Sequence, residues 1–376
     1  ARKPFGGHSN TTLSLVFPQY IKSIPKRGGR AQAVRAAALI LYLHIYRPAF
    51  CGGQGGGTVQ ACKNNARPAL FYFTICAFWC IISPMKVADK WKDYKVLATG
   101  DGMKLERWGE VVLLRPDPQV IWRPSRDLYS FKDINAVYVR SNKGGGGWQF
   151  RKPMPEEWQI CYGDLKFIVK PMGFKHTGLF PEQAANWDGM RALIEERRAR
   201  FPEREIKVLN LFAYTGGASV ACAKSGALVT HVDAAKGMVE RAGRNARLSG
   251  IESGIRYIID DCFKFVKKEI RRGNRYDAII MDPPSYGRGP GGETWKIEDD
   301  VYDFVATCAQ VLSENPLFVL VNSYTTGLQP TVIKNILTLA LKERGAETDA
   351  YELGLPTEEG ICLPCGCSGL ATFKGQ

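Results

Sequence analysis

The sequence predicts an α/β fold: a Rossmann-like, seven-stranded, mostly parallel sheet preceded by a small β-rich region. Three observations carry that reading. From residue 206 onward, apolar runs of strand length alternate with helix-period segments, the strands at 206–213, 228–232, 255–260, 276–281 and 317–323. The first of these strands, IKVLNLFA, runs into Tyr214-Thr215-Gly216-Gly217 and then a helix of small residues. The fourth, YDAIIM, ends on Asp282-Pro283-Pro284-Ser285. Repeated βα units of this kind give a parallel sheet with helices on both faces, and such sheets collect ligands at the carboxyl ends of their strands.

The elements follow in chain order. Residues 1–84 hold ten Lys and Arg and no Asp or Glu, whereas 85–376 carry 41 basic and 37 acidic groups, so most of the net +14 lies in the first segment. That segment contains RAAALILYLHIYRPAF, CGGQGGG and an uncharged run of 17 residues from Pro68 to Pro84. Neither apolar run reaches the roughly 20 residues that a membrane span needs. A signal peptide would place its apolar stretch nearer the start. We expect no folded domain here and read the segment as translated from upstream of Met85. A basic membrane-contacting arm and an organelle-targeting extension are the alternatives.

From 85 to 170 the pattern is short and strand-like: YKVLATG, EVVLLRP, QVIW, INAVYVR and LKFIVK, separated by Gly, Pro and Asp turns. The Gly144–Gly147 run reads as a flexible loop. Trp91, Trp108, Trp122, Trp148, Phe150 and Trp158 fit an antiparallel core, or alternatively a surface of aromatic platforms for nucleobases. Arg107, Arg115, Arg123, Arg151 and Lys152 are candidate phosphate contacts. A helix through AANWDGMRALIEERRARF opens the second domain, 171–376. Further helices are expected near 217–225, 236–248, 262–272, 298–312 and 329–344. Strands near 348–355 and 361–373 are expected to close the sheet as an edge hairpin.

The Gly216 turn lets the backbone approach a ligand, and the helix after it offers free N–H groups. Its two adjacent glycines fall short of a dinucleotide fingerprint, which argues against a pyrophosphate and against a nicotinamide-dependent oxidoreductase. An amino-acid carboxylate suits this turn better. Asp233 ends the second strand 17 residues after Gly216, where an acid receives ribose hydroxyls. Asp261-Cys262 ends the third; its acid can accept from an adenine amino group, or Asp260 or Asp261 can cap the following helix. Together the three tips describe S-adenosylmethionine.

Asp282 to Ser285 stiffen the exit of the fourth strand and form a polar grip for a planar amine or base. The following GRGPGGETWKIE is long enough for a lid, with Tyr286, Arg288, Trp295 and Lys296 as further contacts. Cys365, in a Pro-Cys-Gly-Cys turn, is a nucleophile candidate for a cytosine-C5 acceptor, or an incidental thiol. The Cys362-x-x-Cys365-x-Cys367 pattern lacks a second ligand pair, so no metal is expected, and eleven cysteines in this arrangement do not make a disulfide framework.

FKHTGLFPEQ (174–183), NLFAYTGGASVACAKSGA, HVDAAKGMVERAGRNARLSG, DDCFKFV and MDPPSYGRG, in that order, resemble the class I methyltransferases of large-subunit ribosomal RNA. The nearest group comprises the bacterial cytosine-C5 and guanine-N7 23S enzymes. The resemblance covers about 160–345, and the region at 85–160 is similar to the insert preceding the catalytic domain there. It implies that Lys175, Thr177, Gly178, Phe180 and Gln183 close over the cofactor. Phe212, Tyr214 and Gly216 would form the methionine-side wall, Asp233 would take the ribose, and Asp261 with Cys262 the adenine. Asp282, Pro283, Pro284 and Ser285 would line the acceptor pocket, and Asn245 would brace the second helix. His176, between Lys175 and Thr177, departs from the family pattern, and no N-terminal RNA-binding barrel precedes residue 85. The implied enzyme is cytoplasmic and acts on RNA, with a protein or small-molecule acceptor as the alternative.

Overall fold

The computed structural model describes residues 85–141, 145–288 and 294–374, so the expectations for 1–84 lie outside the described residues. Five strands form the small sheet: β2 (Tyr94–Gly100), β3 (Met103–Trp108), β4 (Val111–Pro116), β5 (Ala136–Arg140) and β6 (Gly146–Phe150), in that spatial order. A short β1 (Lys86–Val87) precedes them and joins the other sheet. The pairs are antiparallel except β4–β5, which is parallel. A separate hairpin, β7 (Trp158–Tyr162) and β8 (Leu165–Val169), turns through Gly163, whose φ of 57° suits glycine.

Four of these strands, β1, β3, β6 and β7, escape the sequence reading. β3 carries Lys104, Glu106 and Arg107, and alternation hides because a carboxylate, Glu106, is buried between Leu105 and Trp108. β6 arises within the expected glycine loop. Its Gly146 lies so close to β5 that a Cβ would sit 2.3 Å from the Val139 carbonyl oxygen. QVIW, in contrast, is not a strand: the carbonyls of Val120 and Trp122 accept from Gly102 and Asp101 in the β2–β3 turn.

The second region begins with α1 (Ala184–Arg200). It continues through β9 (Lys207–Leu211), α2 (Gly217–Lys224), β10 (Leu228–Asp233), α3 (Lys236–Leu248), β11 (Ile255–Ile259), α4 (Cys262–Arg272) and β12 (Ala278–Met281). A two-stranded excursion, β13 (Tyr286–Arg288) and β14 (Thr294–Lys296), leads into α5 (Ile297–Ala309). Then come β15 (Phe318–Ser323), α6 (Pro330–Ala340), β16 (Glu347–Pro356) and β17 (Cys362–Thr372).

The large sheet runs β1-β16-β17-β15-β12-β9-β10-β11. Strands β9 to β12 and β15 are parallel, and β17 lies antiparallel between β15 and β16. The strand count is therefore eight among the described residues, not seven, because Lys86–Val87 adds beside β16. Strand order reverses between β9 and β12, which opens a crevice above those two tips.

One face of the sheet packs on α1, α2 and the small sheet, with Trp187, Phe167, Val208, Phe318 and Trp108 in its core. The other packs Phe265, Phe304, Met281, Val321 and Ile333. Each such buried side chain contributes about 1.5–3 kcal/mol. The tryptophans serve this packing. The indole N–H groups of Trp91, Trp122, Trp148 and Trp158 donate to Pro181 O, Thr99 Oγ1, Met172 O and Trp108 O.

Candidate active site

The first tip is a strained turn. Phe212 and Tyr214 hold φ of 54° and 50°, and Gly216 holds 83°. A Cβ on Gly216 would meet Ala242 Cβ at 2.8 Å, so glycine is required by space as well as by dihedral. The turn is fixed from two sides. Tyr214 N donates to Asp233 Oδ2 at 2.8 Å, and Asn245 Nδ2 donates to the Thr215 carbonyl at 2.9 Å. Asn245 Oδ1 also accepts from Ile168 N at 2.9 Å, so it ties α3 to both β8 and the turn. Among the described residues, the N–H groups of Gly217 and Ala218 at the start of α2 find no acceptor.

Asp233 ends β10, where it also accepts from Ala235 N at 2.8 Å. Each oxygen thus has one donor and room for another. At the third tip, Asp261 Oδ1 accepts from Lys264 N at 2.9 Å, which is the helix-cap arrangement. Cys262 is 3% exposed, and its sulfur accepts from Phe212 N at 3.3 Å. Burial pushes its thiol well up. Cys262 therefore supports the turn from behind, and the ring beside it is Phe263, packed with Phe304 and Trp295 at 4.1 and 4.9 Å.

The segment 174–183 lies against the Gly216 turn through Thr215 and Tyr214, and its residues do different things. Lys170 N and Met172 N donate to the carbonyls of Thr177 and His176, folding the segment back on β8. The Gly178 carbonyl accepts from Thr215 Oγ1 at 2.6 Å. A Cβ on Gly178, whose φ is 94°, would strike Arg241 Nη1 at 2.4 Å. Thr177 Oγ1 is buried with no hydrogen-bond partner. The Phe180 ring stands 5.8 Å from Tyr214 and 5.4 Å from Tyr324. Gln183 is committed internally: Nε2 donates to Tyr324 OH, and Oε1 accepts from Asn186 and Asn322. Lys175 turns to the small sheet, its Nζ 3.4 Å from the Pro116 carbonyl.

That sheet holds the segment through a buried ion pair. Arg115 donates to both Glu106 oxygens, at 2.6 and 2.9 Å, and through Nη1 to the Lys175 carbonyl at 2.7 Å. Burial alone would raise the Glu106 carboxyl, but the charges of Arg115 and Lys104 overcome it and hold it down at about 2. Arg115 is thus an internal brace, and Arg107 is spent on the carbonyls of Gly109 and Lys92. Lys152 pairs with Asp133, and Arg151 donates to Tyr129 O, both at the surface.

At the fourth tip, the carbonyls of Pro284 and Ser285 are taken by Trp295 Nε1 and Ile297 N, and Ser285 Oγ lies 2.6 Å from Thr325 Oγ1. The Asp282 carboxyl accepts no hydrogen bond among the described residues. Burial, then the nearby Glu182, pushes it up to about 7. Glu182, 4% exposed, is itself raised by burial. Glu182 carries no periodic signal because it sits in a single 3-10 turn after Phe180. The Tyr324 hydroxyl, which accepts from Gln183, completes this cluster.

Cys365 lies on β17 rather than in a turn, its Sγ directed to the Leu363 carbonyl at 3.5 Å. Burial and then Glu182 hold its thiol well above the ordinary range, which disfavours a thiolate. Among the described residues there is no group of three metal-ligating side chains, and no helix is long and apolar enough to cross a membrane.

These features fit an adenosine with an amino-acid tail. Donors at the start of α2 suit its carboxylate, Asp233 has lone pairs for the ribose, and the 174–183 segment carries the orphaned Thr177 hydroxyl.

Comparison with known proteins agrees with that fit. A family model for S-adenosylmethionine-dependent methyltransferases matches residues 138–300. A ribosomal RNA large subunit methyltransferase I of Aeromonas hydrophila is 31% identical over 126 residues, 33% of this chain and 30% of its own length. The K/L enzyme of Syntrophotalea carbinolica is 27% identical over 188 residues, 49% of this chain and 25% of its own. The chain thus spans well under half the length of these curated relatives. The crystal structure of an S-adenosylmethionine-dependent methyltransferase from Agrobacterium tumefaciens matches over 78% of this chain and 94% of its own, at 30% identity and a TM-score of 0.72. With 94% of that structure matched at this identity, the chain belongs to the S-adenosylmethionine-dependent methyltransferases.

Proposed function

We propose that this enzyme methylates a base of RNA, and that its substrate is large-subunit ribosomal RNA, the class for which its relatives are named. The carrying observation is the Asp282 carboxyl, left without a hydrogen-bond donor beside the rigid Pro283-Pro284 exit, at the tip next to the Gly216 turn. A planar amine or ring nitrogen supplies the donor this site lacks.

When bound, S-adenosylmethionine supplies an activated methyl on a sulfonium. The chain's own task is to align the acceptor, exclude water and accommodate a proton. In this reading, Gly216 and the start of α2 receive the carboxylate of the cofactor, and Asp233 receives the ribose. Phe212, Phe263 and Asp261 border the adenine, and Cys262 backs them. Phe180, Tyr214 and Thr177 cover the methionine side, while Gly178, Lys175 and Gln183 hold that cover in place. Asp282, with Pro283, Pro284 and Ser285 shaping its loop, accepts a hydrogen bond from the base. A carboxyl poised near neutrality can take the proton that a nitrogen acceptor sheds. Cys365 has no covalent role.

Residues 85–170 are read as the part that receives RNA and 171–376 as the methyltransferase part, working in the cytoplasm. The test is mass spectrometry of nucleosides from ribosomal RNA incubated with the enzyme and isotopically labelled methyl donor. A labelled base supports the reading. Label found only in protein or in a small molecule, with RNA unlabelled, would replace it.

A further inference from the structure

The small sheet leaves one edge open, and that edge differs from the rest of the molecule. β6 is its outermost strand. Pairing puts Tyr138, Arg140, Trp148 and Phe150 on one face, because Tyr138 stands opposite Trp148 and Arg140 opposite Gly146. This is the face turned toward the covering segment: Trp148 Nε1 donates to Met172 O at 2.8 Å. Two residues beyond Trp148 on the strand is Phe150, 64% exposed; two beyond Met172 in the segment is Phe174, 68% exposed. These are the most exposed aromatic side chains among the described residues. Neither has a polar group to satisfy, and each leaves a π-face open to water.

Charge is segregated along the same line. The stretches that build it, 136–155 and 165–181, carry six Lys or Arg and no Asp or Glu among the described residues, while 85–376 as a whole is close to neutral. Arg140 stands close enough to Lys175 to act on it: burial first, and behind it the charges of Lys104, Arg115 and Arg140, lower the Lys175 ammonium. From Gly146 to Phe150 the strand runs about 14 Å, the reach of roughly two nucleotides.

We infer that the edge of the small sheet, with Phe150 and Phe174 as stacking platforms and Arg140 as a phosphate contact, binds a single strand of RNA flanking the target base. The inference rests on RNA being the substrate. Its physical basis is sequence-tolerant: any base can stack on a phenyl ring, and a cation beside it meets the backbone. The five buried or half-buried tryptophans are excluded from this task because their rings pack against neighbours inside the fold. The strip lies beside the 174–183 segment, whose far end carries Glu182, close enough to Asp282 to act on its carboxyl.

The experiment uses the full chain and a labelled single-stranded RNA of about twelve nucleotides, followed by fluorescence anisotropy. Each of Phe150→Ala and Phe174→Ala should weaken binding by roughly five- to a hundredfold. Phe150→Trp should retain affinity, because the π-face remains. Arg140→Ala should reduce the salt slope by about 0.7 for a single strand. S-adenosylmethionine affinity of Phe150→Ala, measured by calorimetry, should stay at the wild-type value, which separates a lost contact from a misfolded protein. RNA binding by the wild type with no loss in the double Phe variant overturns the strip and leaves the RNA reading standing. Full affinity in Phe150→Leu also overturns it, since that outcome marks plain apolar packing of the sort a protein partner would use. A wild type that binds cofactor but no RNA removes both.

Discussion

Replacing Asp282 by asparagine keeps the shape of the side chain and removes its charge, and the structure says what this should do to stability as well as to turnover. The carboxyl is raised from an ordinary value of 3.8 to about 7 by burial and by Glu182. A carboxyl whose pKa is higher in the folded state penalises that state once it ionises. The penalty is absent below about pH 4, grows by about 1.4 kcal/mol per pH unit between the two pKa values, and levels off above about pH 7. The full shift corresponds to about 4 kcal/mol. Asp282 is half-buried, and solvent screens part of the penalty, so a gain of about 1–3 kcal/mol is expected above neutrality. Asp282→Asn removes that penalty and should be more stable than wild type at pH 8, with the difference shrinking as pH falls to 5. Urea denaturation of both proteins at the two pH values measures it, and labelled-methyl incorporation into RNA should fall at least about a hundredfold in the variant. A stability difference that does not change with pH would refute the electrostatic account. Retained turnover would take Asp282 out of the site.

Three further outcomes follow from other parts of the structure. Asp233→Ala removes the acceptor for Tyr214 N and Ala235 N, and calorimetry should show cofactor affinity weakened by about ten- to a hundredfold; an unchanged Kd would count against the ribose role. Arg115→Ala takes the guanidinium from the buried Glu106 carboxylate and leaves it Lys104 at 3.5 Å and the Tyr94 hydroxyl. It should cost about 3–5 kcal/mol in denaturant unfolding, and a loss below about 1 kcal/mol would show that the pair is dispensable. Cys365→Ser should leave methyl transfer within about twofold of wild type, because the thiol is held protonated; abolished transfer would restore a nucleophile there.

The parallel sheet was legible because its signals are local. Strands buried on both faces read as apolar runs, and Gly216, Asp233 and Asp282 mark their tips in plain sequence. The small sheet was less so. A buried Glu106 breaks the alternation of β3, and β6 forms out of glycines because the neighbouring backbone leaves no room for a Cβ. Site roles divide in the same way. The positions at strand tips were readable, but the direction of a side chain was not. Lys175 turns to the Pro116 carbonyl, Gln183 turns inward to Tyr324 and Asn186, and Cys262 sits behind the turn. The Pro116, Tyr324 and Phe212 partners lie 59, 141 and 50 residues away in the chain, and periodicity carries no information about such partners. Of the aromatic residues that the sequence singles out in the small region, the five tryptophans pack inside and Phe150 stands in water, while the exposed Phe174 was not among them.

Arg115 reaches out of one sheet to grip main chain that lies over the tips of the other. Ligands held by the proposed strip and by the crevice would therefore be linked through this contact. A polynucleotide that stiffens the small sheet would steady the cover above the nucleoside and prolong its residence. By reciprocity, a donor analogue seated in the crevice would tighten the hold on the polynucleotide by the same factor. Cutting that one guanidinium contact should uncouple the two equilibria even where each ligand still binds.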